Sequence, residues 1–365
     1  MNTQKLKIAA FCAGIAAMTV CAQVCIPQMR QITIGTVHAD AEPAESTAPQ
    51  TEPPVTVRIP PALSEYIEPS ENSVSARESD GSKAMHSSLP YLNTHATDGG
   101  AIKRTQYKNL PGAMFFRLDG GGQVRNSTSW TNADLKAESK ILPKLDLKTD
   151  GTPMVLIYHT HTTESYMDSE ASAYPAAFNF RTSEPDKNMV AVGDAITAEL
   201  AAAGIGVIHT AEIHDYPKWN GSYSRSAVTV KEILAENPSI CIALDIHRDA
   251  ICTGNDVIAP VCTVDGRQSA QIMICSGCDK GDMNMPNYRE NFHLACCIQQ
   301  TAEQMFPGLT RPILFDYRRY NQDITTGSLL IEVGSQGNSM EEARYAGTLT
   351  GKVIAAVVQK LAANK

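Results

Sequence analysis

From Met154 onward, apolar runs and amphipathic periods alternate along the chain. Met154-Val155-Leu156-Ile157-Tyr158 is a continuous apolar stretch, the pattern of a strand covered on both faces. Asn188 to Ala203 has a helical period. It puts Met189, Val192, Ile196 and Leu200 on one side, and Gly204 is the stop. Ile205–Thr210 reads as a second strand. Ser224–Glu236 reads as a helix carrying Val228, Val230, Ile233 and Leu234, ended by Pro238. Ile240–Ile246 is a third buried strand. Val257–Val264 and Ala270–Cys275 around Asp265-Gly266 predict a hairpin. Asn287–Met305 is helical, and Ile313–Phe315 and Leu329–Val333 are strands. A last helix begins at Ser339, with Glu342 three residues on as a capping box, and runs to about Leu361. Such an order predicts an α/β fold, a mostly parallel sheet flanked by helices.

Ahead of this pattern the chain changes character twice. Lys5 and Lys7 precede an uncharged run from Ile8 to Met29, rich in Ala, Ile and Val. An apolar core of that length just crosses the hydrocarbon layer, and the flanking lysines favour a cytoplasmic N-terminus. The segment, residues 1–30, is expected to be a membrane anchor or a cleaved signal, with Val37-His38-Ala39 as a passable cleavage site. Either way the rest of the chain is expected outside the cytoplasm. Residues 31–109 read as a Pro/Glu/Ser-rich linker: seven of the 20 prolines fall between Pro43 and Pro69. Such a composition cannot offset its ordering entropy by burial. A short strand, Met114–Leu118, opens the folded domain, expected to span 110–365.

Composition narrows the classes further. Hydrophobic residues are 43% and charged residues 19% of the 365, which is globular. The net charge is −8, and Asp40–Asp80 holds nine acidic residues against Arg58 and Arg77, so most of it is local. That balance excludes a basic, nucleic-acid-coating surface. Of ten cysteines, seven lie beyond the apolar N-terminus; an odd number cannot all pair internally. An exported location permits one bridge, among Cys252, Cys262, Cys275 and Cys278. Cys275-x-x-Cys278 with Cys296-Cys297 is a weak pattern for a structural metal, and Cys241 reads as a small apolar strand residue.

Open parallel sheets put chemistry at the carboxyl ends of their strands. Three such ends carry it here: His159-Thr160-His161-Thr162-Thr163-Glu164, Asp245-Ile246-His247-Arg248-Asp249, and Glu332 followed by Val333-Gly334. Burying such groups unpaired is costly, and metal coordination or a polar network resolves the cost. Two histidines and a carboxylate with one open position make a hydrolytic zinc site, with a further carboxylate to move the proton. No His-Glu-x-x-His helix is present, so the common helical zinc protease is excluded.

Val155 to Tyr166, with its His159-Thr160-His161-Thr162-Thr163-Glu164-Ser165-Tyr166 core, resembles the signature of the stage II sporulation protein P family. Asn188–Asp194, Asp245–Ala250 and Leu330–Gly334 are similar in the same order. The resemblance implies a peptidoglycan hydrolase of endospore formers, related to zinc N-acetylmuramoyl-L-alanine amidases and acting with a stage II sporulation protein D-type transglycosylase in forespore engulfment. It implies the cofactor Zn²⁺ and a membrane-held domain that faces the wall outside the cytoplasm. It further implies His161, His247 and Glu184 as zinc ligands and Glu332 as the catalytic carboxylate. The double histidine is a departure from the amidases that makes His159 and Glu164 rival ligands, with Arg225 and Arg248 as substrate or supporting groups. Asp249 reads as a further supporting partner; His209, His214 and His293 read as packing or surface residues. Two alternatives stay open: a zinc endopeptidase on the cross-link, and a non-catalytic wall-binding scaffold.

Overall fold

The computed structural model of the chain describes residues 99–363 and the two-residue strand Val57–Arg58. The apolar segment Ile8–Met29 and most of the expected linker lie outside the described residues. Among the described residues, no helix is long and apolar enough to cross a membrane.

In chain order the elements begin with β1 (Val57–Arg58), β2 (Gly100–Thr105), β3 (Phe115–Arg117), β4 (Gln123–Asn126) and α1 (Asn132–Glu138). Next come β5 (Pro153–Tyr158), β6 (Ala173–Tyr174), α2 (Met189–Ala202), β7 (Gly206–Thr210), α3 (Ser222–Glu236) and β8 (Ile242–Asp249). Then follow β9 (Cys252–Thr253), β10 (Asp256–Val264), β11 (Arg267–Ala270), β12 (Ile272–Gly277) and α4 (Tyr288–Met305). The last are β13 (Ile313–Asp316), β14 (Ser328–Ser335) and α5 (Met340–Ala363).

The main sheet has the order β1-β7-β5-β8-β14-β12-β13-β4-β3. β7, β5, β8 and β14 run parallel. β12 meets β14 antiparallel, and β12, β13 and β4 are parallel to one another. The expected mostly parallel sheet is present, as two parallel blocks of opposite direction.

Alternation along the strands assigns their faces. Val155, Ile157, Val207, Ile242, Leu244, Ile246, Ile331 and Val333 share the main core with α2, α4 and α5. Leu156, Tyr158, Ile208 and Ala243 point the other way, under Val230 and Ile233 of α3. Asp245 and His247, two and four residues beyond Ala243, therefore belong to the α3 face. Glu332 is the register partner of His247 on the neighbouring strand.

Local signals explain several boundaries. Asn188 caps α2, its side chain accepting from the Val190 N–H at 3.0 Å. At the start of α5, Ser339 N–H donates to Glu342 and the Ser339 hydroxyl accepts from Glu342 N–H, which is the expected capping box. Asp265 and Gly266 both have positive φ, 49° and 76°, as a two-residue hairpin turn requires. The hairpin differs from expectation in its second strand. It ends at Ala270, and Ile272–Gly277 crosses into the main sheet.

The crossing reflects a second, five-stranded sheet, β11-β10-β2-β6 with β9 on β10, that the sequence pattern did not reveal. β2 falls in the segment read as linker, so the ordered unit reaches back past Leu110. This sheet is tied to the main body by an ion pair between Arg104 and Glu342. All seven described cysteines are free thiols.

Beneath the first loop, buried His214 donates from Nδ1 to the His159 carbonyl (2.8 Å), and its Nε2 accepts from Thr229 (3.0 Å). Burial holds its pKa down at about 4, from 6.5. The unfolded chain therefore takes up a proton below pH 6.5 that the folded chain refuses. Stability is complete above pH 6.5 and is lost as pH falls from 6.5 to 4, by up to about 3 kcal/mol. Urea unfolding of wild type and His214→Asn at several pH values checks this: the wild type is expected to lose more stability than the variant across that window. Parallel curves would contradict it.

Candidate active site

Each strand end places its polar residues by satisfying their neighbours. After β5, the Thr160 N–H and hydroxyl both donate to the Asp245 carboxylate, at 2.8 and 2.6 Å. The loop is then pinned by Thr163, whose hydroxyl donates to Asp215 at 2.7 Å. It is also pinned by backbone bonds from Ser165 to Phe180 and from Thr182 to Thr163. Residues 159–166 are all buried as a result.

Within this frame the imidazoles of His161 and His247 meet edge to face, ring centres 5.2 Å apart. Trp219 stacks on His161 at 5.1 Å, and Tyr223 stands edge-on to it at 5.5 Å. Tyr223 in turn stacks on Tyr320 at 5.3 Å. The aromatic rings wall the histidines from water. The Ser222 hydroxyl lies 3.4 Å from His161 Nδ1, with an Asp215 oxygen beyond it at 3.9 Å. His247 Nδ1 is 3.6 Å from Glu164 Oε2. Its Nε2 lies 2.8 Å from Asp245 Oδ1, at an angle that makes the contact an ion pair rather than an aligned hydrogen bond.

Burial and neighbouring charge compete in the electrostatics of the site. Burial, the largest influence on His247, pulls its pKa down. Asp245, then Glu164 and Glu332, outweigh it and raise the value to about 9. Glu332 is pushed up to about 8, by burial first and then by Asp249; His247 opposes the rise. Burial also raises Asp215, against Arg181. Arg181 bonds Asp215 at 2.7 Å and stands 3.6 Å from Glu164, so one guanidinium serves both carboxylates.

Each residue singled out in the sequence has a definite place. Glu184 precedes α2 and pairs with Lys187 at 2.9 Å through Oε2; its Oε1 is buried without a hydrogen bond. Glu332 Oε2 is likewise buried without one. Glu164 accepts from the Arg248 backbone N–H at 3.1 Å. Arg248 donates from its side chain to the carbonyls of Ser165 (2.9 Å) and Phe180 (2.8 Å), which fixes the loop. Asp249 pairs with Arg311 at 2.8 Å. Arg225 donates to the carbonyls of His214 and Lys218, holding the loop that carries Trp219. His159 has both ring nitrogens engaged, by the Ile246 carbonyl and by His209. Arg181, Asp215 and Trp219 were not foreseen. They lie in loops without period, and only their chemistry-bearing types could have flagged them.

Among the described residues, no three His, Cys, Asp or Glu side chains are set closely enough to hold a metal ion as they stand. The donor types nonetheless fit zinc. Two imidazole rings 5.2 Å apart can be bridged by one tetrahedral ion with bonds of about 2 Å. The uncommitted Glu184 oxygen is of the type that would complete the set.

The fold and this pocket define an α/β protein with a buried histidine–carboxylate site at the carboxyl rim of a parallel sheet. The model of the stage II sporulation protein P family matches residues 70–355, and the chain belongs to that family. It is 29% identical over 223 residues to stage II sporulation protein P of Bacillus subtilis (strain 168), covering 56% of this chain and 51% of the relative. The chain thus spans about half the length of that relative. Among solved structures, the N-acetylmuramoyl-L-alanine amidase AmiC2 of Nostoc punctiforme is similar with a TM-score of 0.34 and 15% identity, over 58% of this chain and 97% of the amidase. The CwlD amidase of Clostridioides difficile, solved with the GerS lipoprotein, has a TM-score of 0.35 and 13% identity, over 58% and 100%.

Removing the shared guanidinium tests the network. Arg181→Met leaves Asp215 and Glu164 short of counter-charge. Because Arg181 is partly exposed, the expected cost is about 2 kcal/mol, below that of a fully buried pair. Chemical denaturation measures it. A loss below about 0.5 kcal/mol, the range of ordinary surface substitutions, would show that Arg181 does not neutralise the pair.

Proposed function

We propose that this protein is a zinc-dependent peptidoglycan amidase that cuts the amide between N-acetylmuramic acid and L-alanine. The observation that carries the reading is the meeting of His161 and His247, from separate strand ends, beside Glu332. His161, His247 and Glu184 would hold the ion. Glu184 is favoured over Glu164 because its Oε1 is uncommitted, whereas Glu164 is engaged by Arg248 and Arg181. Bound there, zinc would supply Lewis acidity and a water of lowered pKa.

The chain's own groups do the rest. Glu332 takes the proton of the attacking water and delivers it to the departing amine nitrogen. One ring nitrogen of His247 would take the ion, and the carboxylate beside the other, Glu164 at Nδ1 or Asp245 at Nε2, would orient the ring. Trp219 and Tyr223 keep bulk water from the histidines. Family membership supports a role in sporulation, with septal wall as substrate and a D-type transglycosylase as partner. The apolar N-terminal segment would hold the domain at the membrane, outside the cytoplasm.

Purified wall material tests the reading. Wild type is expected to release intact stem peptides and leave sugar strands bare, as mass analysis would detect. His161→Ala and Glu332→Ala are each expected to lower the rate by about 10²-fold or more. Cut cross-links with stems still on the sugar would make the protein an endopeptidase instead. Full activity in either variant would refute the site. For the third ligand, Glu184→Ala is expected to lose bound zinc in elemental analysis while Glu164→Gln keeps most of it; the reverse would exchange their roles.

A further inference from the structure

His159 is buried, directly follows the apolar run of β5, and has no part in the mechanism above. Its ring nevertheless belongs to a short polar string. Nδ1 lies 2.9 Å from the carbonyl oxygen of Ile246, and Nε2 lies 2.8 Å from Nε2 of His209. His209 Nδ1 lies 3.1 Å from an oxygen of Asp194. Both rings are fully buried and stand edge to face, 5.1 Å between centres.

The partners dictate where the protons sit. A carbonyl can only accept, so His159 carries its hydrogen on Nδ1. Asp194 beside His209 Nδ1 accepts from it and favours the additional proton on His209 rather than on His159. His159 Nε2 is then an acceptor, and His209 donates to it from Nε2. The string runs from the partly exposed Asp194, through two imidazoles, to the peptide group that joins Ile246 to His247.

The backbone has been cleared for this pair. A Cβ at Gly193 of α2 would lie 2.5 Å from His209 Nε2 and 2.8 Å from His159 Nε2. Both are closer than real Cβ contacts, and both ring atoms belong to the same hydrogen bond. Only glycine lets the helix approach while the imidazoles touch.

We propose that the His159–His209 pair is a positioning device for His247, acting through the Ile246 carbonyl that it anchors. His159 and His209 are positioning residues, and neither binds the ion. The inference rests on the zinc reading of His161 and His247. Fixing the peptide before a ligand limits the rotation of that ligand, as outer hydrogen bonds do at metal sites generally.

The test is zinc affinity of the full chain, measured with zinc ion alone by competition against a chromogenic chelator. His209→Leu removes the donor, and Gly193→Ala pushes the rings apart without removing a polar group. His209→Gln keeps an amide nitrogen near the position of Nε2. The first two are expected to weaken zinc binding by about tenfold or more, and His209→Gln by no more than about threefold. In wild type with ¹⁵N-labelled histidine, magnetisation transfer across an N–H···N bond between the two rings is expected. Wild-type affinity in both His209→Leu and Gly193→Ala, with zinc lost in His161→Ala, would overturn the positioning role. So would a loss in His209→Gln equal to that in His209→Leu. If His209→Leu does not fold, Gly193→Ala and the spectrum decide, and absence of the N–H···N transfer overturns the proposal. Zinc retained by His161→Ala would instead overturn the proposed function.

Discussion

Charge buried at the carboxyl rim of the sheet is the constraint on which the rest depends. Glu164, Asp215, Asp245, Asp249 and Glu332 are buried there with His161, His247, Arg248 and Arg311. Isolated, each ionised group would cost several kcal/mol. Together they neutralise one another, and their contacts then dictate the paths of the loops. Arg248 holds the carbonyls of Ser165 and Phe180, Arg181 bridges Asp215 and Glu164, and Asp245 anchors Thr160. The charges of the site are the frame of its loops.

The same constraint separates the roles of similar residues. His159 and His161 are two residues apart and equally buried. His159 faces inward to a carbonyl and another imidazole; His161 faces aromatic walls and His247. Glu164 and Glu184 are both near the first loop. Glu164 is matched by two arginines, whereas Glu184 keeps one oxygen uncommitted. Partners, rather than residue type, distinguish a supporting group from a group available to a ligand.

Much of this was legible along the chain. Strands β5, β8 and β14 read directly because strands covered on both faces are apolar, so His161 stood out after β5, and His247 and Glu332 in the C-terminal halves of β8 and β14. The capping box at Ser339 was visible because capping is local. The second sheet was not. β6 has only two residues, and β2 pairs in parallel with β10, which lies far away in sequence. Ile272 leaves the hairpin because buried Gln271, bonded to Tyr107 and Gly308, turns the chain into the main sheet. Arg181, Asp215 and Trp219 were hidden for a related reason: loop residues carry no period, and only the closed fold brings them to the histidines. The His209 partnership needed Gly193 to be seen in place.

The account stands on His161 and His247 sharing one ion. Crystals of the zinc-soaked protein, measured on both sides of the zinc absorption edge, test that most directly. One anomalous peak within bonding distance of both imidazoles and of a carboxylate is the predicted result. A peak elsewhere, or none at saturating zinc with the two rings still in mutual contact, would contradict it.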